Sequence, residues 1–245
     1  MILKDKVAIV TGASAGLGAD FARELVRKGA HVYGTARRKN KLEALKEELG
    51  DMFIPMTSDV REPAQVEQAI AQVVNEKGRI DILVNNAGLG QFAKIDEMSL
   101  EQWDVQMDTN LRGVFLFSQA VLPAMKAQNV ASGFGGHIVN IASVAGLVGN
   151  PMLTAYNASK FGLRGFSEAL MKEVREDGIK VTCIYPGSIA TEFSSVAGSF
   201  GSPNPMESID IAGTLIHVLE APDNYLISEI MMRPLRPKGA GQVKS

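Results

Sequence analysis

The sequence predicts an α/β protein: one doubly wound domain with about seven parallel strands and helices on both faces. Three observations carry this expectation. Short β-branched runs alternate with longer helical patterns along the chain. Gly29, Gly50, Gly78 and Gly178 each stand between a helical pattern and the next strand-like run, where a residue without Cβ closes a helix. The strand-like runs are apolar at successive positions rather than alternately, as in a parallel sheet covered on both sides.

The elements follow in order. KVAIVTG leads to the helix GADFARELVRK, then Gly29 and the strand HVYGTA. LEALKEEL ends at Gly50, before a weaker strand, MFIPMT. EPAQVEQAIAQVVNEK ends at Gly78, before RIDILV. Two long helices are expected around 99–128 and 154–177, the second ending at Gly178 before IKVTCIYPG. Between them, AQNVASGFGGH at 127–137 reads as a glycine-rich connection into the strand HIVNIAS. Crossovers should be right-handed. No repeat of solenoid period and no linker divides the chain, so residues 1–245 are expected to form a single domain. The stretch EFSSVAGSFGSPNP, from Glu192, predicts a substrate loop or lid over 192–210. The tail over 236–245 lacks apolar periodicity and is expected to fray.

Composition narrows the function classes. The 245 residues are 46% hydrophobic and 21% charged, which argues against disorder. A net charge of −2 gives no electrostatic footprint for nucleic acid. The lone Cys183 excludes an internal disulfide and a cysteine-based zinc cluster. His31, His137 and His217 lack metal-ligand spacing, so no metal site is expected. No apolar run has the length of a membrane span, and MILKDKVAIVTG is interrupted by charge where a leader would be apolar. The expectation is a cytoplasmic protein with neither membrane nor nucleic-acid partner.

The first strand runs into TGASAGLG, with Gly12, Gly16 and Gly18 opening a helix. Glycines here permit a tight turn and close approach of backbone N–H groups to phosphate, and the helix N-terminus favours an anion. The spacing departs from the common G-x-G-x-x-G, and there is no P-loop ending. The context is nonetheless that of a Rossmann-type dinucleotide turn, with Ser14 and Leu17 beside the glycines as further contacts. After the second strand, where a free ribose 2′-hydroxyl usually meets an acid, stand Ala36, Arg37 and Arg38. Two guanidinium groups suit a 2′-phosphate, and this predicts NADP(H) rather than NAD(H).

Tyr156 and Lys160 are four residues apart at the start of a helical pattern, hence on one face. A tyrosine, with a pKa near 10, is a poor acid or base at neutral pH, and a nearby ammonium is expected to bring it closer to working range. Ser143 ends a predicted strand on the side where open α/β sheets bind ligands, and its hydroxyl suits a substrate oxygen on which charge develops. There is no G-x-S-x-G elbow for a nucleophilic serine.

Together TGASAGLG at 11–18, SDV at 58–60, NNAG at 85–88, Asn110 in TNLRG, Ser143 in NIASVAG, YNASK at 156–160 and PGSIAT at 186–191 make the chain resemble a short-chain dehydrogenase/reductase of the single-domain type, over roughly residues 5–192. The resemblance implies that Tyr156 exchanges a proton with the substrate oxygen. It implies that Lys160 lowers the tyrosine pKa and binds the nicotinamide ribose, that Ser143 orients the substrate, and that Asn110 holds a water in a proton relay. It places Asp59 and Val60 beside the adenine; the residues alone also allow Asp59 as the cap of the helix that follows. Asn86, Ala87 and Gly88 are expected along the cofactor, with a sheet-steadying role equally open for Asn85 or Asn86. Pro186, Gly187, Ile189 and Thr191 are expected at the nicotinamide.

Candidate substrate walls are Gln91, Phe92, Leu147, Asn150, Met152 and Phe193, mostly apolar and without a cationic clamp. They suggest a medium-sized, neutral carbonyl or alcohol. Acyl-carrier-protein ketoacyl reductases usually finish in Asp-Gly-Gly; the ending NYLISEIMMRPLRP departs from that and favours a general carbonyl over an acyl thioester, with thioester reductase as the alternative. A non-catalytic NADPH-binding sensor on the same fold is a further alternative, against which stands the full set of Asn110, Ser143, Tyr156 and Lys160. By resemblance the two long helices pair with a second subunit, giving a homotetramer or homodimer; a monomeric mass in solution would reject this.

Overall fold

The strand-like runs of the sequence form the sheet, and the helical patterns cover it. The computed structural model describes residues 1–190 and 204–236. In chain order β1 (Val7–Thr11), α1 (Gly16–Arg27), β2 (His31–Ala36), α2 (Lys39–Leu49) and β3 (Phe53–Thr57) build one half. α3 (Pro63–Lys77), β4 (Ile82–Asn85), α4 (Leu100–Met107), α5 (Gly113–Ser132) and β5 (Gly136–Ile141) begin the other. α6 (Thr154–Val174), β6 (Ile179–Pro186), α7 (Ser208–Glu220) and β7 (Glu229–Met232) complete it.

All seven strands are parallel, in the order β3-β2-β1-β4-β5-β6-β7. Pro55, which cannot donate to a ladder, lies in the edge strand β3. The strand order reverses between β1 and β4, with Ile9 facing Tyr33 on one side and Leu83 on the other. Such a switch point opens a crevice at the carboxyl edge of the sheet.

Side chains alternate between two cores. Ala8, Val10, Ile82 and Val84 pack with Phe21 and Leu25 of α1 and Leu215 of α7. Val7, Ile9 and Leu83 pack on the opposite face with Val66 and Val73 of α3, Phe117 and Val121 of α5, and Leu170 of α6. Each buried Val, Leu, Ile or Phe side chain among them contributes about 1.5–3 kcal/mol of transfer free energy. This explains why the strands read as continuous apolar runs.

The four glycine junctions fall between helix and strand as expected, and Gly78 and Gly178 take left-handed φ values of 68° and 64°. Two boundaries differ from the sequence reading. The glycine-rich connection does not begin at residue 127, because α5 continues to Ser132 and is closed by Gly133 at φ 76°. Gln128 anchors this last stretch: its side chain accepts from Ile80 N at 2.7 Å and donates to Ile80 O at 3.0 Å and to Gly135 O at 2.9 Å. The helix expected around 99–128 is also interrupted. α4, opened by a reciprocal Ser99–Gln102 cap, passes through a π turn over Asp108–Arg112 before α5.

Among the described residues, no helix is long and apolar enough to cross a membrane, and no group of three His, Cys, Asp or Glu side chains is arranged to hold a metal ion. His137 is buried in β5 with Nε2 at 2.8 Å from Thr182 Oγ1, and burial pulls its pKa down to about 3.

Candidate active site

The glycine turn is shaped by contacts that no side chain would survive. Gly12 has φ 69°, and a Cβ there would stand 2.9 Å from Ala87 Cα. A Cβ at Gly18 would stand 2.3 Å from Gly12 O, so the start of α1 presses against the turn. Ala15 precedes α1 without a side-chain cap, and the first turn of the helix carries no acid. Its leading N–H groups and positive helix end therefore suit an anion.

Thr11, which the sequence reading passed over, ties this turn to the exit of β4. Its Oγ1 accepts from Asn86 N at 2.9 Å and Ala87 N at 3.0 Å, while Asn86 Nδ2 donates to Thr11 O at 2.9 Å. The Asn86 amide thus serves the framework. Asn85 lies below it, donating to Asn140 Oδ1 at 2.9 Å and to Ser118 Oγ at 3.1 Å across the buried sheet.

Arg38 folds over the glycine turn, with Nε and Nη2 each donating to Ser14 Oγ at 3.1 Å. Arg37 is exposed beside it. Both precede the positive N-terminal end of α2, where cations are unfavourable unless an anion is shared. Asp59 does not cap α3, whose cap position is Glu62 with Pro63 following. The Asp59 carboxylate instead accepts from Arg61 Nε at 3.0 Å and Nη2 at 2.6 Å, and that bond, aided by the more distant charge of Arg37, holds its pKa below the usual range. Val60 packs on Gly113, where a Cβ would come within 2.9 Å of Val60 Cγ2.

The loop after β4 is held by two buried amides one helical turn apart. Asn110, in the π turn, accepts from Leu89 N and donates to Leu89 O, both at 2.9 Å, and donates to Ser159 Oγ at 3.0 Å. Gln106 makes the same pair of bonds to Gln91, from N and to O, each at 3.1 Å. The side chain of Asn110 thus holds the loop in place. Gln106 was not singled out by the sequence; a polar residue at a buried helix position was the available signal.

Ser143, Tyr156 and Lys160 converge. Ser143 follows β5; its Oγ accepts from Ala145 N at 3.1 Å, and the hydroxyl stands near enough to the Tyr156 phenol to pull its pKa down. Lys160 Nζ lies 5.8 Å from the Tyr156 ring centroid and donates to Ile141 O at 2.9 Å. Gly88 approaches this group: a Cβ there would stand 3.6 Å from Lys160 Nζ. Both ionisable side chains are buried, at 8% and 4% exposure, and burial decides their charge. It pushes the phenol up to about 12, against a smaller downward pull from Ser143, and draws Lys160 down to about 8. The expected lowering of the tyrosine pKa is thus reversed here, because desolvation of the buried phenol outweighs the pull of Ser143. At neutral pH the phenol holds its proton.

Phe92 meets Tyr156 edge-on, centroids 5.7 Å apart at 66°, and packs with Met152, Ala145 and Leu153 around it. Ala93 N donates to Met152 O at 3.0 Å, joining the two loops. Gln91 and Asn150 are exposed, whereas Leu147 packs on Leu163, Cys183 and Tyr185. Gly187, after Pro186, donates to Met232 O at 2.8 Å; Ile189 bridges to Met206. Thr191 and Phe193, most of the expected 192–210 loop, and the tail from residue 237 lie outside the described residues.

A parallel sheet with a glycine turn at its switch point, and a Ser–Tyr–Lys group at its carboxyl edge, defines a nucleotide-dependent oxidoreductase of the doubly wound class. The chain belongs to the short-chain dehydrogenase family, whose sequence profile matches residues 6–199. It is similar to a serine dehydrogenase solved in a closed form complexed with NADP+, at 35% identity and a TM-score of 0.88, covering 96% of this chain and 97% of that one. A 3-ketoacyl-(acyl-carrier-protein) reductase from Brucella melitensis, complexed with NADH, superposes with a TM-score of 0.87 at 27% identity, over 94% of this chain and 98% of that one. The 3-oxoacyl-[acyl-carrier-protein] reductase of Haemophilus influenzae is 41% identical over 194 residues, 79% of this chain and 78% of that protein.

Proposed function

We propose that this chain is an NADP(H)-dependent oxidoreductase that reversibly reduces a ketone or aldehyde carbonyl to the alcohol, with Tyr156 as proton donor and acceptor. The observation that carries this reading is the buried, protonated phenol beside Ser143, with the Lys160 ammonium 5.8 Å from its ring. The cradle fits a dinucleotide. Only glycine satisfies the contacts at Gly12 and Gly18, and Arg38 bends over Ser14 where a 2′-phosphate would be met. Gly12, Ser14, Gly16, Leu17, Gly18, Arg37, Arg38, Asp59, Val60, Ala87, Gly88, Lys160, Gly187 and Ile189 would hold it. When bound, the cofactor supplies the hydride.

The chain's own groups do the rest. The Ser143 hydroxyl donates to the carbonyl oxygen and orients it. As negative charge grows on that oxygen, the Tyr156 O–H bond breaks and the new O–H bond forms on the substrate. The Lys160 charge steadies the phenolate left behind. Phe92, Met152 and Leu153 exclude water around the phenol. In this reading α5 and α6, on which Phe115 and Phe161 are 43% and 44% exposed, pair with a second copy, the mass in solution being the check.

A second reading, reduction of a 3-oxoacyl thioester, is favoured by the 41% identity to the Haemophilus reductase. A panel of ketones, aldehydes, diketones, pterins and acyl thioesters, followed by absorbance of the reduced nicotinamide with NADPH and NADH, separates the two. Faster loss of NADPH with a simple carbonyl is expected. Loss with thioesters alone favours the second reading.

A further inference from the structure

We propose that Asn157 is a positioning residue that fixes Ser143 against Tyr156, an inference that rests on the proton-transfer role proposed for that pair. Asn157 directly follows Tyr156 on α6 and is buried at 8% exposure. Its amide reaches across to the loop after β5 with three hydrogen bonds. Nδ2 donates to Ala145 O at 2.5 Å and to Val148 O at 2.9 Å, and Oδ1 accepts from Asn150 N at 3.1 Å. Both donors and an acceptor are thus committed to one turn.

That turn carries the serine. Ser143 caps the single helical turn Val144–Gly146, its Oγ taking Ala145 N at 3.1 Å, and Ala145 O is the atom Asn157 holds. The approach to α6 is close elsewhere too, since a Cβ at Gly146 would stand 2.7 Å from Lys160 O. The serine and the tyrosine come from different elements, so their mutual placement depends on how the β5 loop is seated on α6. Asn157 is the side chain that seats it. The same loop runs on to Met152, at φ 65° and packed by Tyr156, so the seat also sets one wall of the site. A merely structural staple would cost stability alone. A positioning role makes its catalytic cost depend on Ser143.

The test is a double-mutant cycle in the full chain, using a carbonyl substrate from the panel. Asn157→Ala is expected to lower kcat by about 10- to 100-fold, as a misplacement of about 1 Å can, with NADPH affinity by fluorescence titration nearly unchanged. In the Ser143→Ala background the same substitution should cost less than about threefold, because the group it aligns is gone. Asn157→Asp keeps an acceptor for Asn150 N but turns an oxygen toward two carbonyls. Its kcat relative to the parent should rise as pH falls and the carboxyl protonates into a donor, whereas the ratio for Asn157→Ala stays flat. If the alanine variant does not fold, the pH dependence of the aspartate variant decides. An unchanged kcat in Asn157→Ala, an undiminished cost in the Ser143→Ala background, or a flat ratio for Asn157→Asp overturns the inference. If Ser143→Ala itself costs nothing, the proton-transfer reading of the pair fails first, and that outcome is distinct.

Discussion

Tyr156→Phe is expected to lower kcat by about 10²–10⁴-fold, the usual worth of a positioned general acid, while NADPH binding stays nearly intact. The substitution removes one oxygen and little else. The ring keeps its edge contact with Phe92 and its place among Ala145, Leu153 and Met152. What is lost is the phenolic O–H, which keeps its proton throughout the neutral range, since burial holds its pKa at about 12. Lys160, drawn down to about 8, has one N–H on Ile141 O and its charge over the Tyr156 ring, and does not replace it as the acid. Steady-state kinetics paired with a fluorescence titration of NADPH checks both halves. Retained turnover would remove Tyr156 as the acid.

The second large effect concerns the cofactor. Replacing Arg37 and Arg38 together by alanine is expected to weaken NADPH about 10- to 100-fold, because charge-assisted hydrogen bonds to a phosphate are lost. NADH, which has no 2′-phosphate, should change little. Arg38 is already drawn over the turn by Ser14, and Arg37 is near enough to act on Asp59, so the pair stands where the adenosine ribose of a dinucleotide would end. Dissociation constants for both cofactors decide the matter. Equal weakening of the two would show that the arginines shape α2 rather than read the phosphate.

The parts of this protein legible in its sequence are those set by local chemistry. The strands announced themselves because both faces of the sheet are covered, and four helix ends because Gly29, Gly50, Gly78 and Gly178 stand before the next strand. Tyr156 and Lys160 were legible as an i,i+4 pair, and Ser143 as a residue at a strand end. What the sequence did not show are long-range bonds of ordinary polar residues. Thr11 holds the β4 exit, Gln106 and Asn110 clamp Gln91 and Leu89, and Asn157 seats the serine loop. Each is an amide or hydroxyl whose partner lies on another element, and no spacing rule reports that. The π turn at Asp108–Arg112 escaped for a related reason: a single wide turn inside a helix has no residue signature of its own. The charge balance of the site is set by burial, which a linear sequence does not display: it raises the phenol and lowers the ammonium.

One hydrogen atom can be followed through the reaction. With NADPH deuterated at both C4 hydrogens of the nicotinamide and a carbonyl compound the protein consumes, the alcohol should carry a single deuterium on its carbinol carbon, with the hydroxyl hydrogen drawn from water through Tyr156. Solvent hydrogen on that carbon, or a carbonyl that is consumed while the cofactor keeps both deuterium atoms, would contradict hydride transfer at this site.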